Sequence, residues 1–257
     1  TFSFGQYDIQ GKIKGLSKSE VYLAHYFGYN QQVIKDTVVA NEDGEFRFKG
    51  TDQLPKGLYL ISFLKSKFID LVVEEPNFSF SLDTTNILQS ISFQNSPENS
   101  AFYAFQKRMN ELYTAINQPN LAPARKQSLI AEVQQFQKQW KSSNSHLFVS
   151  KLIESSFDPE IPVYNGSLKE KADTTKMQLF QYHYYKKHYF DGMDLTDERM
   201  VRTPFLQRKL ERFFKDLVVQ EPDSIAREAD ILLAIAKDTE VRRYIIYKIA
   251  STYENNP

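Results

Sequence analysis

The chain contains no cysteine, and that one absence removes disulfides, thiol nucleophiles and thiolate metal sites together. It does not fix a compartment, because an oxidising compartment permits disulfides without requiring them in domains of this size. Net charge is missing as well. Lys plus Arg and Asp plus Glu both number 32, so there is no long-range field of one sign to gather nucleic acid or an anionic membrane surface. No apolar run approaches the roughly 18 residues that would span a bilayer, so direct membrane insertion of this segment is not expected. The nine glycines form no Gly-rich phosphate loop, and the G-x-S-x-G, H-E-x-x-H and C-x-x-C patterns do not occur. A catalytic site assembled from distant residues is not excluded by missing motifs. No cluster in the sequence names a reaction, a cofactor or a metal. The chain starts at Thr1 without Met or a visible signal peptide, which reads as a processed or engineered end, so an export signal or lipid-anchor Cys would lie outside it.

What is present is apolar and aromatic material, 41% hydrophobic residues with 15 Tyr and 20 Phe, over 257 residues. That is enough for two globular domains, each with its own core. From Tyr7 to about Phe93 the hydrophobic period is two, in YDIQGKI, EVYLAHYF, VIKDTVV, EFRFKG, GLYLISFL, FIDLVVEE and NFSFSL. Seven or eight short strands at this spacing indicate a sandwich or barrel, and no helical period lies between them to build parallel βαβ units. Residues 1–95 are therefore expected to form an antiparallel β-sandwich. The clearest local signal is Asn41-Glu42-Asp43-Gly44, read as a hairpin turn in which Gly44 supplies a positive φ, with Phe46 and Phe48 alternating against Glu45, Arg47 and Lys49.

The period changes at Asn95-Ser96-Pro97-Glu98-Asn99. Ser96 is a candidate cap, Pro97 suits the first helical position, and Phe102, Phe105, Met109, Leu112, Tyr113 and Ile116 recur at spacings of three and four. Residues 96–257 are expected to be an all-α domain, which makes the whole chain a two-domain α+β protein. Further helices are expected after Pro123, over Ser145 to Ser155, and at about Lys169 to Tyr189, Pro204 to Val219, Asp223 to Lys237 and Glu240 to Tyr253. Thr203-Pro204 reads as a cap and first-turn proline, and Phe157 to Gly166 as a loop. The closing Glu254-Asn255-Asn256-Pro257 leaves a helix and looks like a cut before something else.

Three constellations invite a function. Asp191, Asp194, Asp197 and Glu198 make the densest acidic patch, but their spacing of three and Arg202 at the twelfth position do not fit an EF-hand calcium loop. Capping carboxylates paired with Arg199 and Arg202 explain them better. QYHYYKKHYF interleaves aromatic and basic residues as a nucleic-acid surface does; a Tyr-rich helix with rings on the core and Lys186 and Lys187 in water is the favoured reading. His183 and His188 are five apart, which is wrong for two metal ligands on one helical face. Glu74 and Glu75 are adjacent in an extended segment and point to opposite faces, so they do not form a catalytic pair.

Taken together, Ile9 to Gly15, Val21 to Tyr26, Lys35-Asp36-Thr37, Asp43 to Phe46 and Leu58 to Ile61, with His188 to Asp191, Asp194, Asp197, Arg199, Arg202 to Leu206 and Pro222 to Ile225, resemble the N-terminal regions of TlpA-type thioredoxin-like proteins of the Gram-negative envelope. Those regions hold two domains of unknown function ahead of a thioredoxin-like domain with its redox Cys pair. With no Cys here, no redox activity can be assigned to any residue of this chain. The resemblance implies an exported protein, periplasmic or lipid-anchored at the outer membrane, and a non-catalytic accessory region that positions a downstream redox domain or binds its client. Such a module should show an apolar groove or patch between its domains or on the helical face. The alternatives are a stand-alone envelope hydrolase, which needs a cleft with converging carboxylates, and a glycan- or peptide-binding module, which needs exposed Tyr or Trp rings on the β domain.

Overall fold

A computed structural model describes residues 7–28, 31–166 and 171–254. The expected helix start at Lys169 and the closing Asn255 to Pro257 lie outside the described residues. Eight strands form two sheets. Strands β1 (Tyr7–Lys14), β4 (Glu45–Gly50), β7 (Asn77–Asp83) and β8 (Ser92–Gln94) make one in the order β4-β1-β7-β8, and β2 (Glu20–Phe27), β3 (Gln31–Val39), β5 (Gly57–Phe63) and β6 (Lys67–Val73) make the other in the order β3-β2-β5-β6. A short helix, α1 (Ile87–Ser90), leads into β8. Alternation sends Ile9, Ile13, Phe46, Phe48, Phe78 and Phe80 inward from the first sheet, to meet Val21, Leu23, Tyr59, Ile61 and Leu71 from the second in a single core. At about 2 kcal/mol for each large side chain buried, that core dictates which face of every strand points in. The result is the expected β-sandwich, antiparallel except that β1 and β7 run parallel.

The Asn41 to Gly44 turn forms, but it does not make a hairpin. Gly44 adopts φ +75°, its amide donates to the Asn41 carbonyl (3.2 Å), and Asn41 Oδ1 accepts the amides of Asp43 and Glu45. Its flanking strands nevertheless lie in different sheets, so the turn is an arch that carries the chain across the sandwich. The β1–β2 link crosses in the same way, and the two arches bond to each other through Ala40 N to Ser19 O (3.0 Å) and Lys18 N to Asn41 O (3.3 Å). Beyond the turn, β4 pairs with β1, where Phe46 faces Gly11 across the ladder. A Cβ on Gly11 would stand 2.2 Å from the Phe46 ring, so the glycine makes the room that admits β4. Sequence alternation is identical for a hairpin and an arch, and this packing decides between them.

The described residues fall into two compact units. One comprises those of Thr1–Tyr26 with Gln32–Ser150, the other those of Phe27–Gln31 with Lys151–Pro257. The change from strand to helix at residue 95 and the division between units thus fall at different places. The first unit contains α2 (Pro97–Ile116) and α3 (Pro123–Asn144), joined by Phe105 against Phe136 (5.6 Å) and Trp140 (5.0 Å).

Helix α2 also seals a sheet edge. Asn99, fully buried, accepts the Val72 amide (2.8 Å) and donates to the Val72 carbonyl (2.7 Å), and the Tyr103 hydroxyl donates to the Asp70 carbonyl (2.9 Å). These side chains occupy main-chain groups of β6 that another strand would take. Ser96, expected as a side-chain cap, instead donates to Glu75 (3.0 Å) and accepts from Asn99 (2.8 Å). Glu98, in the first turn of α2, caps a different helix: it accepts the amides of Phe148 and Val149 (both 2.8 Å) at the start of α4 (Phe148–Ser155). Burial pushes the Glu98 carboxyl above its ordinary value, against these two bonds, which pull it down.

The second unit holds α5 (Lys171–His188), a 3₁₀ turn at Glu198–Arg202, α6 (Pro204–Arg212), α7 (Pro222–Ile235) and α8 (Thr239–Tyr253). Leu195, Met200, Leu206, Leu210, Val241 and Ile245 are buried at its centre. The helix expected over Pro204 to Val219 is interrupted by a π turn at Phe213–Leu217. A widened turn frees carbonyls, and side chains take them: Gln220 donates to those of Phe214 (2.6 Å) and Val218 (2.8 Å), Tyr182 to that of Leu217 (2.8 Å). Thr203 does not cap with its side chain; its hydroxyl donates back to the Met200 carbonyl (2.8 Å).

Candidate functional site

Within the second unit a groove of about 990 Å³ opens between α5 and α7. Helical spacing builds both walls. His183, Lys186, Lys187 and Phe190 stand at i, i+3, i+4 and i+7 from α5 into the turn that follows it, and Arg227, Glu228, Ile231, Leu232 and Ile235 follow the same rule along α7. Phe190, Met193, Phe213 and Leu232 provide an apolar floor. Phe213, the first residue of the π turn, lines the groove and packs on Tyr189 (5.6 Å) and Phe190 (5.1 Å), while its neighbour Phe214 lines a separate hollow beside α8. Ile231 and Ile235 are 51% and 53% exposed, one helical turn apart.

Charge on the rim is unevenly matched. Lys186 bridges to Glu228 (2.7 Å), tying α5 to α7, and His188 Nδ1 meets Asp191 (2.6 Å). Both carboxylates that line the groove are thereby held by a basic neighbour. Lys187 and Arg227, both exposed, have no ion-pair partner among the described residues. The groove can therefore bury apolar side chains on its floor and offer two cations at its edge. Beneath it Lys209, buried at 7% exposure, donates to the carbonyls of Tyr189 (2.8 Å) and Phe157 (3.1 Å) and lies over the Tyr189 ring (4.8 Å). Burial pushes its amine below the usual lysine range; it ties together the ends of α4 and α5.

The acidic patch is distributed much as expected. Asp197 caps the 3₁₀ turn by accepting the Arg199 amide, and it binds the Arg199 guanidinium and Lys151 (3.0 Å). Burial pushes its carboxyl up, but Arg199 and Lys151 outweigh that and hold it at about 2. Asp194 accepts from Thr196 and from Lys151 (2.7 Å), and Glu198 pairs with Arg202 (3.0 Å). Among the described residues no group of His, Asp and Glu is placed to hold a metal ion. Lys151 is the member sequence reasoning did not find, because it comes from α4, more than forty positions away.

Elsewhere the QYHYYKKHYF residues divide. Tyr189 is buried and Tyr185 half-buried, as a core-covering helix requires, and Lys187 faces water, but Lys186 is half-buried in its ion pair. His188 stacks on Tyr184 (4.2 Å), while His183 stands on the groove wall. Glu74 bridges to Lys56 (3.0 Å) and Glu75 accepts from Ser96, so the two carboxylates serve different partners. The single Trp, Trp140, is buried on α3. No helix among the described residues is long and apolar enough to cross a membrane. The expectation of an apolar groove or patch on the helical face named none of these lining residues, although the Arg227 to Ile235 spacing was an available signal.

A family model described as a domain of unknown function, DUF4369, matches residues 7–102. No curated protein matches the chain. Among solved structures, an (S)-allantoin synthase is similar at 15% identity and a TM-score of 0.28, over 36% of this chain and 44% of that one. A Klebsiella pneumoniae 5-hydroxyisourate hydrolase is similar at 14% identity and a TM-score of 0.23, over 36% of this chain and 95% of that one. The matched part thus spans less than half the length of the synthase, and scores this low carry no functional argument.

Proposed function

We propose that this chain is a non-catalytic binding module whose α5–α7 groove receives an apolar polypeptide segment flanked by acidic residues. The observation that carries the proposal is the pairing of an apolar floor and two exposed isoleucines with rim cations that have no carboxylate partner among the described residues. Desolvating such a floor provides the binding free energy, and the cations select sequences that bring negative charge to the rim. In an accessory region of an exported TlpA-type thioredoxin-like protein, periplasmic or lipid-anchored, the segment belongs to a client or to the downstream redox domain. The resemblance at His188 to Ile225 supports that setting, and two of its residues, Phe190 and Asp191, line the groove.

The test is anisotropy of a dansyl-labelled synthetic helix with Leu at i, i+4 and i+7 and a Glu run at one end, titrated with the whole chain. Saturable binding is expected, weakened at least about tenfold by joint Ile231→Asp and Ile235→Asp substitution. Joint Lys187→Glu and Arg227→Glu substitution should weaken it several-fold at low salt and much less at high salt. Absence of saturable binding, or equal binding by all variants, refutes the proposal.

A further inference from the structure

Sheet β3-β2-β5-β6 has two outer strands, and they are treated in opposite ways. On β6 the side chains of Asn99 and Tyr103 take the main-chain groups at positions 72 and 70. On β3 no strand pairs with the outer edge among the described residues. All of Gln31 to Lys35 is exposed, including Val33 at 43% and Ile34 at 59%. An open edge with Val33 and Ile34 exposed is a template for another strand. Only its far end is occupied, where Asp36 accepts the Thr37 amide (2.8 Å) and the Tyr7 hydroxyl (3.2 Å). Beside the open stretch lies a hollow of about 390 Å³ on the sheet face, lined by Tyr22, Tyr26, Ile34, Leu60 and Phe68, in which Phe68 is 57% exposed.

We infer that β3 pairs with β3 of a second copy of this chain, antiparallel and centred on Ile34, joining the two four-stranded sheets edge to edge. The sequence of the strand suits pairing with its own copy and narrows the register. In a two-fold antiparallel pair, residues directly opposite lie on the same face, so the registers centred on Lys35 or Asp36 set like charges against themselves. Centring on Val33 or Ile34 avoids both, and Ile34 is the more exposed of the two and the one that borders the hollow. Centring on Ile34 sets Ile34 against Ile34 and Val33 against Lys35, which gives an apolar contact at the axis and no like-charge pair beside it. The strand is neutral as a whole, carrying one Lys and one Asp, so no net repulsion opposes the approach. The two hollows meet across the axis, and the Ile34 and Phe68 side chains left open in one copy are covered by those of the other. This inference does not depend on the α5–α7 groove.

Since the chain has no cysteine, a single introduced one reports on the pairing without background. Residues directly opposite across an antiparallel ladder have Cα atoms about 4.5–5.5 Å apart, inside the range a disulfide bridges. Purified wild-type chain is expected to sediment as a dimer at high micromolar concentration. Ile34→Lys, a change at an exposed position, should shift it to monomer while leaving its circular dichroism unchanged, and its melting unchanged at dilutions where wild type is itself monomeric. Under mild oxidation Ile34→Cys should form a covalent dimer, and Val39→Cys, 65% exposed but far from the axis, should not. A wild-type chain that stays monomeric overturns the inference. So does a dimer that Ile34→Lys leaves intact, or cross-linking by Val39→Cys as fast as by Ile34→Cys.

Discussion

Helices α2 and α5 are of similar length, 20 and 18 residues, yet six side chains of α2 are buried and none of α5 is. Two of the six, Glu98 and Asn99, are polar and bind main chain, one at the start of α4 and the other on strand β6. Helix α5 holds its neighbours by an ion pair at Lys186, a hydroxyl at Tyr182 and partly covered rings, and leaves Leu179 half exposed. The difference separates a helix whose position is fixed by directional bonds in a dry setting from one whose flank stays open to solvent. Buried polar groups cannot slide without losing partners. Partly exposed apolar contacts give way at little cost, which is the property a binding groove needs.

The contrast breaks most visibly at Asn99. Asn99→Leu, close in volume, leaves the Val72 amide and carbonyl buried without partners. At about 2 kcal/mol for each orphaned group, a loss near 4 kcal/mol is expected in urea unfolding. A loss under 1 kcal/mol would show that α2 is held by its apolar face alone.

Acid titration sharpens the comparison, because Asp197 in one unit and Glu98 in the other are shifted in opposite directions. Asp197, in the helical unit, is held at about 2 against an ordinary 3.8. Its stabilisation, about 2 kcal/mol, is complete above pH 4 and is lost as pH falls through 2. Asp197→Asn should therefore be less stable than wild type at neutral pH, with the gap closing in acid. Glu98, in the β-containing unit, is raised, so its contribution is complete below about pH 4.5 and declines as pH rises through its folded value. Glu98→Gln should abolish that decline, while the amide it turns toward Phe148 or Val149 costs about 1–3 kcal/mol. Unfolding free energies measured from pH 2 to 7 check both signs.

The smallest effect is expected on α5. Leu179→Ala removes a side chain that is 51% exposed and should change stability by no more than about 0.5 kcal/mol. A loss above 2 kcal/mol would place α5 in the same class as α2.

Much of this architecture was legible in local pattern. The strand period of two from Tyr7 to Phe93 and the helical spacing that begins at Phe102 fix element type, because burial of one face needs only neighbours a few residues apart. The Pro97, Pro123 and Pro204 helix starts were visible for the same reason, since a first-turn proline loses no hydrogen bond. The π turn at Phe213 was not visible, because the Leu206 to Val218 stripe reads the same for a regular helix. At the candidate site, Arg227 to Ile235 carried the pattern of one wall, but nothing local showed that α5 would stand opposite it. Asp194 and Asp197 were recognised as paired carboxylates, while Lys151, their shared partner, lies on a different helix.

The sequence by itself determined that strands precede helices, that Gly44 sits in a tight turn and that thiol chemistry is absent from this chain. These follow from side-chain period, backbone sterics and composition, all of them local quantities. Only the tertiary structure decided that the Gly44 turn is an arch between sheets, that Asn99 closes one sheet edge while β3 keeps the other open, and that α5 and α7 enclose an apolar groove. Each of those rests on which distant surfaces meet, and contacts across dozens of residues leave no periodic mark in the chain.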